Sequence, residues 1–207
     1  CDANSKVLFL CSPNNPTGNV FPDESIVKLL QNFPGLVVID EAYIDFSTSE
    51  SWLTELDDYP NLVIIQTLSK AYGLAGLRIG ILYASADIVS ILDRIKPPYN
   101  LNTFSQQSAV KKIKHNTIPS QVKKIIQERE KLNEYLEQLS WVEKIYPSEA
   151  NFILIKVDDA SVRYQQLLEK NIVVRNRTNQ PLCENCLRIS IGTRDETIQL
   201  IQTLKSL

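Results

Sequence analysis

Three short apolar runs, each followed at once by polar residues, constrain the fold of this 207-residue chain more than any other feature. The runs occupy residues 7–10, 36–39 and 62–65, with a helical pattern over residues 23–33 and a short one over residues 51–56 between them. Such runs, bounded by Gly and Pro, predict parallel strands covered on both faces. Ligands of open parallel sheets bind beyond the carboxyl ends of the strands, so the polar residues after each run are the candidates for chemistry.

The rest of the chain predicts a fourth strand and then a second domain. Residues 77–83 follow the third run too closely for a crossover helix, which predicts antiparallel pairing in the same sheet. A helix over residues 87–96 ends at Pro97-Pro98, where we expect a junction between domains 1–100 and 101–207. The second domain is predicted to be α+β, with a break at Pro119, helices over 105–114, 120–139, 160–169 and 194–204, and strands over 142–145, 152–157, 172–174 and 187–190.

Composition excludes several classes of function. Apolar residues make up 43% of the chain and charged residues 22%, as in ordinary globular proteins, and the net charge is -2. That charge gives no electrostatic reason to expect nucleic acid or an acidic membrane surface as a partner. No apolar run approaches the roughly 20 residues that span a bilayer, and the first residues lack a secretion-signal pattern. A cytoplasmic location is therefore the default expectation.

The four cysteines do not form a disulfide scaffold in a chain of this size. Cys183 and Cys186 have the spacing of half a zinc site or of a redox motif. A structural zinc site takes four ligands, and the sequence contains no second pair. We therefore expect no metal.

The segment TLSKAYGLAGLRIG, residues 67–80, places one lysine in a loop after the third run. Hydroxyl groups precede Lys70 at Thr67 and Ser69, and Arg78 follows it. Glycines in the segment permit tight turns or a close approach to a ligand. The pattern indicates a phosphate site around an amine, and its alternative is a solvated surface lysine.

Polar motifs also follow the first and second runs. Asn15 lies in the sequence Asn-Asn-Pro-Thr-Gly, which is typical of a turn as well as of a site. Asp40 and Tyr43 lie in Asp-Glu-Ala-Tyr, where a helix-capping carboxylate and a packing tyrosine are the alternatives. Near the C-terminus, Arg175 follows one predicted strand and Arg188 lies inside another, where an arginine facing solvent is the alternative.

In combination these motifs resemble those of fold-type I pyridoxal-phosphate aminotransferases, in particular the histidinol-phosphate aminotransferase group. The resemblance extends from residue 7 to the C-terminus, and SKAYGLAGLRIG carries most of it. It implies part of a mainly parallel large-domain α/β sheet followed by a smaller α+β domain. It also implies that Lys70 carries pyridoxal 5'-phosphate as a Schiff base, while Thr67, Ser69 and Arg78 hold the phosphate.

The same resemblance implies roles for the other motifs. Asn15, after which a cis peptide bond is expected, and Tyr43 would meet the phenolic oxygen of the cofactor, and Asp40 would keep the ring nitrogen protonated. Arg175 and Arg188 would bind the anionic groups of the substrate. The catalytic set implied is Lys70, Asp40 and Tyr43.

The implied reaction is transamination between L-histidinol phosphate and 2-oxoglutarate in histidine biosynthesis. Two alternatives remain open: another activity on this fold, either threonine-phosphate decarboxylation or aromatic transamination, and a binding or regulatory domain without turnover. The expected partners are a small amino donor and a 2-oxo acid, and the expected assembly is a homodimer. Family members carry a further N-terminal segment with a phosphate loop, so we expect this chain to be their C-terminal part.

Overall fold

The computed structural model describes residues 2, 4–115 and 117–207. By its internal contacts the chain divides into two compact units. Unit 1 comprises Cys1–Pro13 with Val20–Pro119, and unit 2 comprises Asn14–Asn19 with Ser120–Leu207. Compact units are defined by contacts and need not coincide with evolutionary domains, so the domain boundary after residue 100 stays a prediction.

Unit 1 is built on a four-stranded sheet in the order β1-β2-β3-β4. Strands β1 (Val7–Cys11), β2 (Leu36–Asp40) and β3 (Leu62–Thr67) pair in parallel, and β4 (Gly80–Ala84) runs antiparallel to β3. Both the parallel pairing and the antiparallel fourth strand were predicted from the sequence and are confirmed. Because β2 ends at Asp40 and β3 at Thr67, the polar motifs begin at the carboxyl ends of neighbouring strands.

Helix α1 (Asp23–Asn32) covers one face of this sheet. Ile26 and Leu30 are buried against alternate strand residues, namely Val37, Ile39, Leu62 and Ile64. Each such side chain stabilises the fold by roughly 1.5–3 kcal/mol when fully buried. A short 3₁₀ helix, Trp52–Glu55, packs against the same cluster. Asp40 lies on the opposite face, because side chains alternate along a strand.

Two helices complete unit 1. Helix α2 (Ala86–Ile95) ends just before Pro97, as predicted. Helix α3 (Thr103–Lys114) is capped by Asn102, whose side-chain oxygen accepts a hydrogen bond of 2.8 Å from the Ser105 N–H. Within α3, Ala109 packs on a cluster that includes two residues flanking the lysine loop, Leu68 and Ile79. The loop that carries Lys70 is therefore anchored at both ends in an apolar cluster.

Unit 2 is built on an antiparallel sheet in the order β5-β6-β8-β7. Its strands are β5 (Val142–Tyr146), β6 (Phe152–Val157), β7 (Arg175–Asn176) and β8 (Cys186–Ser190). Helices α4 (Ile118–Leu136), α5 (Ala160–Glu169) and α6 (Arg194–Leu204) contribute to one core with the alternate residues of β6 and β8, which include Ile153, Ile155, Leu187 and Ile189. The α+β prediction for this part of the chain is confirmed.

The predicted strand over residues 172–174 is wrong. Asn171 adopts the left-handed conformation (φ 60°) and ends α5 in a Schellman motif, in which Ile172 N–H donates to the Leu167 carbonyl over 2.9 Å. That N–H is therefore used for capping, and Val174 is buried in the core. Strand pairing starts only at Arg175.

Helix α3 ends at Lys114 and α4 begins at Ile118, so the two helices are separate as predicted, but the break lies before Pro119 and not at it. Pro119 is the second residue of α4, where a missing N–H costs nothing because the first turn of a helix has no intrahelical acceptor for it. Helix α4 has 19 residues, the most of any helix in the described part of the chain, and its surface carries several charged side chains. Within the described residues, no helix is both long and apolar enough to cross a membrane.

Candidate active site

The loop after β3 presents Lys70 at the carboxyl end of the unit 1 sheet. Leu68 is buried and its N–H donates to the Ile79 carbonyl at 3.2 Å, while the Leu74 N–H donates to the Leu68 carbonyl at 2.9 Å. These bonds close the loop and leave Lys70 exposed. Its Nζ lies 5.2 Å from the centre of the Tyr43 ring, a cation–π distance. Lys70 and Tyr43, predicted as catalytic from different motifs, thus lie together.

The hydroxyl groups on either side of Leu68 lie within hydrogen-bonding distance of each other. Thr67 Oγ1 is 2.8 Å from Ser69 Oγ and 3.2 Å from the Ile79 carbonyl, and it accepts a hydrogen bond of 3.1 Å from the Ser69 N–H. Arg78 is exposed and has a left-handed backbone (φ 55°), with Nη1 donating to the Ala75 carbonyl at 3.2 Å. That single bond leaves most of its five N–H donors available to an anionic ligand.

Asp40 ends β2 on the face of the sheet that α1 leaves open. Its Oδ1 accepts a hydrogen bond of 3.0 Å from the Ala42 N–H, which orients the carboxylate. Cys11 lies opposite in the strand register, and burial raises the pKa of its thiol, with the negative charge of Asp40 raising it further. An open depression of about 420 Å³ is lined by Asp40 and Thr67 together with apolar residues, among them Ile65, Ile81 and Leu82.

Glu41 fixes the ends of β2 and β3, a role that sequence reasoning missed. Its carboxylate is 1% exposed and accepts hydrogen bonds from Ser51 Oγ (2.6 Å), Trp52 N (2.8 Å) and Gln66 Nε2 (2.9 Å). Such charge-assisted bonds hold the residue before it, Asp40, in a defined position. Only its place in Asp-Glu-Ala-Tyr could have signalled this, since its partners lie 10 to 25 residues away in sequence.

In unit 2, the loop Asn14–Asn19 presents Asn15. The Asn15–Pro16 bond is cis, as expected, and so is the Ser12–Pro13 bond, which was not predicted. Gly18 has a positive φ of 79° and leaves no space for a side chain against Ser148, and its carbonyl accepts a hydrogen bond of 2.7 Å from the Glu149 N–H. The loop is therefore held on unit 2 with Asn15 exposed.

Arg188 meets Asn15 within unit 2. Its Nη1 donates to Asn15 Oδ1 at 2.6 Å, and its guanidinium carbon lies 5.0 Å from the centre of the Phe152 ring, a supporting platform that sequence reasoning missed. Arg188 is half-buried, and Arg175 is exposed and directly opposite it in the β7–β8 register. Like charges directly opposed across strands are unfavourable alone, so this pair favours an anionic ligand.

The predicted site residues therefore fall into two groups. Unit 1 holds the groups expected at the Schiff base, phosphate, ring nitrogen and phenolic oxygen of the cofactor: Asp40, Tyr43, Thr67, Ser69, Lys70 and Arg78. Unit 2 holds Asn15, which was expected at the phenolic oxygen of the cofactor, and the two cations expected at the substrate, Arg175 and Arg188. The individual role of each residue stays a prediction.

Comparison with known proteins identifies the family. The model of the class I and II aminotransferases matches residues 1–204. The chain belongs to that family. A histidinol-phosphate aminotransferase of Flavobacterium psychrophilum is 66% identical over 204 residues, which are 99% of this chain and 59% of the relative. The chain thus spans about three fifths of the length of such curated aminotransferases.

Solved aminotransferase structures agree with the fold. The histidinol-phosphate aminotransferase of Clostridium acetobutylicum has a TM-score of 0.90 at 26% identity, covering 97% of this chain and 63% of that one. The Sinorhizobium meliloti histidinol-phosphate aminotransferase, solved in complex with pyridoxal-5'-phosphate, has a TM-score of 0.85 at 27% identity, covering 98% and 58%. The fold-type I assignment made from the sequence is thus confirmed.

Proposed function

We propose that this chain is part of a pyridoxal-phosphate-dependent aminotransferase that exchanges an amino group between L-histidinol phosphate and 2-oxoglutarate in histidine biosynthesis. The observation that carries the proposal is the position of Lys70, an exposed amine at a strand end, 5.2 Å from the Tyr43 ring and beside two hydroxyls. The 66% identity to a histidinol-phosphate aminotransferase supports this substrate over threonine phosphate or an aromatic amino acid.

The donor set of unit 1 fits pyridoxal phosphate. The group needs a primary amine, a cationic and hydroxyl-rich phosphate site, and an acid at its ring nitrogen. Lys70 offers the amine, Arg78 a guanidinium with free donor capacity, and Thr67 and Ser69 two adjacent hydroxyls. Asp40 lines an open depression with Thr67, so the acid and one of the phosphate donors border one space.

Each residue of this set has a defined task in the proposed reaction. Pyridoxal phosphate, when bound, supplies a ring that accepts electrons from the substrate Cα. Lys70 Nζ would hold the cofactor and, when free, would take the proton from the substrate Cα as general base. Asp40 would hold a proton at the ring nitrogen, and the Tyr43 hydroxyl would donate to the phenolic oxygen.

Unit 2 supplies the groups for substrate recognition. Arg188 is suited to bind a carboxylate such as that of 2-oxoglutarate through two parallel N–H donors, since Phe152 and Asn15 fix its plane. Arg175 brings a second positive charge opposite it for the phosphate end of the amino donor. We further propose that the protein acts in the cytoplasm, the default expectation from its sequence, and as a homodimer, as the resemblance implies.

The proposal is tested by sodium borohydride reduction of the protein with pyridoxal phosphate, followed by peptide mass spectrometry. We expect a stable pyridoxyl group on Lys70 alone. Amino transfer to 2-oxoglutarate is then measured with histidinol phosphate, phosphothreonine and phenylalanine as donors, and we expect histidinol phosphate to be preferred. Modification at a different lysine would reject the role of Lys70, and preference for another donor would reject the substrate.

A further inference from the structure

Two cysteines of unit 2 have no task in the proposed function. Cys183 and Cys186 are free thiols, 3% and 0% exposed. They share one apolar cluster with Leu154 and the half-buried Tyr146. The spacing that suggested a redox or metal motif in the sequence thus corresponds to two thiols in one small compartment.

The backbone joins the two thiols by a tight turn. Cys186 N–H donates to the Cys183 carbonyl at 3.0 Å, and Asn185, the third residue of the turn, is left-handed with φ 56°. The first and fourth Cα atoms of such a turn lie less than about 7 Å apart. A disulfide requires a Cα separation of about 4.4–6.8 Å. A bond between these sulfurs therefore needs side-chain rotation and no rearrangement of the strands.

The segment before the turn can open without disturbing the sheet. Its hydrogen bonds are local: Gln180 N–H donates to the Arg177 carbonyl (2.8 Å) and Cys183 N–H to the Gln180 carbonyl (3.1 Å). Leu182 at its tip is 87% exposed. Cys186, by contrast, is fixed in β8, where it pairs with Lys156 of β6. Segments with few long-range bonds open at low free-energy cost, so local opening exposes Cys183 first.

The closed turn shields both thiols from solvent. Cys186 Sγ lies 3.6 Å from the Glu184 carbonyl, the geometry of a weak S–H hydrogen bond. Burial raises the pKa of Cys186, which lowers the fraction of reactive thiolate. Oxidation is therefore tied to opening of the turn. Within the described part of the chain, no three His, Cys, Asp or Glu side chains are grouped as metal ligands, which favours redox chemistry over a zinc site.

We propose that Cys183 and Cys186 form a reversible dithiol–disulfide pair that responds to low-molecular-weight disulfides such as oxidised glutathione. In the open turn the Cys183 thiolate attacks the glutathione disulfide, forming a mixed disulfide and releasing one reduced glutathione. Cys186 then attacks the Cys183 sulfur, the Cys183–Cys186 bond forms, and the second glutathione leaves. Two protein thiols are oxidised, one disulfide is reduced to two thiols, and the two protons pass to them.

The oxidation state of Cys183 and Cys186 affects the hairpin of β7 and β8, which carries Arg175 and Arg188. Cys186 comes two residues before Arg188 on the same face of β8, and its carbonyl accepts the Arg177 N–H at 2.8 Å. The disulfide adds a covalent link to a segment otherwise closed by single backbone hydrogen bonds. Oxidation therefore suppresses opening of the segment between β7 and β8.

The test equilibrates the folded protein with mixtures of reduced and oxidised glutathione, followed by acid quenching, alkylation with N-ethylmaleimide in denaturant, and tryptic digestion. Cleavage after Arg177 and Arg188 gives one peptide, residues 178–188, that contains both cysteines. We expect an increasing fraction of this peptide to lack both alkyl groups and to be lighter by two hydrogen atoms than the reduced peptide. Dithiothreitol should reverse the change.

Cys183→Ser is the matched control, because it keeps the size of the side chain and removes one sulfur. In this variant the peptide should never lose two hydrogen atoms, and Cys186 should be recovered alkylated. Cys11 of unit 1 reports reagent access in the same samples. The proposal is overturned if Cys11 is oxidised while Cys183 and Cys186 are both recovered alkylated. It is also overturned if Cys183 and Cys186 carry only glutathione, or if their disulfide forms only after unfolding in urea.

Discussion

The two units place their functional side chains in different ways. In unit 1 the candidates follow the carboxyl ends of parallel strands, with Asp40 ending β2 and Lys70 in the loop after β3. In unit 2 the two arginines lie within antiparallel strands, and the register brings Arg175 opposite Arg188. A strand end can be read from one segment of sequence, whereas a cross-strand pair depends on how two segments align. The first kind of site is therefore predictable locally and the second is not.

The two sheets also hold these groups by different forces. Unit 1 fixes its strand ends with a buried polar network around Glu41. In unit 2, Arg188 is held by its hydrogen bond to Asn15 and by the face of Phe152, among other contacts. A buried network loses stability when one member is removed, because its partners remain unsatisfied. Loss of a half-exposed arginine should instead affect ligand binding and leave the fold intact.

The largest expected effect is that of Lys70→Ala in unit 1. Removing the amine should lower transamination at least roughly a thousandfold, because proton transfer by this group is lost together with cofactor attachment. The measurement is turnover of histidinol phosphate with 2-oxoglutarate. Lys28→Ala, which changes an exposed lysine on α1, should retain activity. Substantial turnover in Lys70→Ala would show that the strand-end lysine is not the nucleophile.

Glu41→Gln should destabilise unit 1 and not unit 2. The variant replaces an acceptor by an amide donor facing Ser51 and Trp52, at a cost of about 2–3 kcal/mol in the free energy of unfolding. Each unit contains one of the two tryptophans, Trp52 in unit 1 and Trp141 in unit 2. Urea titrations of Trp52→Phe and Trp141→Phe proteins therefore follow the units separately.

The exposed Glu50→Gln substitution is the matched control for Glu41→Gln and should leave both transitions unchanged. A shift of the Trp52 transition alone would support a network confined to unit 1. Equal shifts at both tryptophans would show that the units unfold together, and the contrast drawn between them would then not apply to their stability.

Arg188→Lys should weaken substrate binding with little change in stability. A lysine keeps the charge but loses the planar pair of donors, and a charge-assisted hydrogen bond is worth about 1.5–3 kcal/mol, or roughly 10- to 150-fold in affinity. We expect this loss in the KM for 2-oxoglutarate, with kcat changed less. Arg194→Lys at the exposed start of α6 is the control. An unchanged KM would exclude Arg188 from carboxylate recognition.

The smallest effect concerns the start of α6. Glu196 accepts hydrogen bonds from the Thr193 N–H (2.7 Å) and hydroxyl (2.8 Å), which lower its pKa below the ordinary 4.5. A lowered pKa in the folded state means that the stabilisation is present above 4.5 and is lost as pH falls through the folded value. Glu196→Gln should cost about 0.5 kcal/mol at neutral pH, screened by solvent, and nothing in strong acid. Urea unfolding followed by Trp141 fluorescence, at neutral pH and in strong acid, measures this difference in stability.

Most strand and helix positions were predictable because hydrophobic periodicity and Gly or Pro boundaries are local signals. Strand 152–157 and helices 160–169 and 194–204 match the structure to the residue. The exceptions arose where backbone groups had a second use, as at Ile172, whose N–H caps α5. Pro119 misled the prediction of where α4 begins, because proline is common both after the end of a helix and in the first turn of one.

The sequence by itself determined the order of strands and helices, the aminotransferase resemblance and the positions of Lys70 and Asp40, because each depends on neighbouring residues. Only the tertiary structure decided that Glu41 joins Ser51 and Gln66, that Arg188 rests on Phe152 and meets Asn15, and that Cys183 and Cys186 share one compartment. These contacts join segments whose alignment is set by strand register and core packing. A local sequence pattern cannot predict such a contact, because the positions of both partners depend on how other residues are buried.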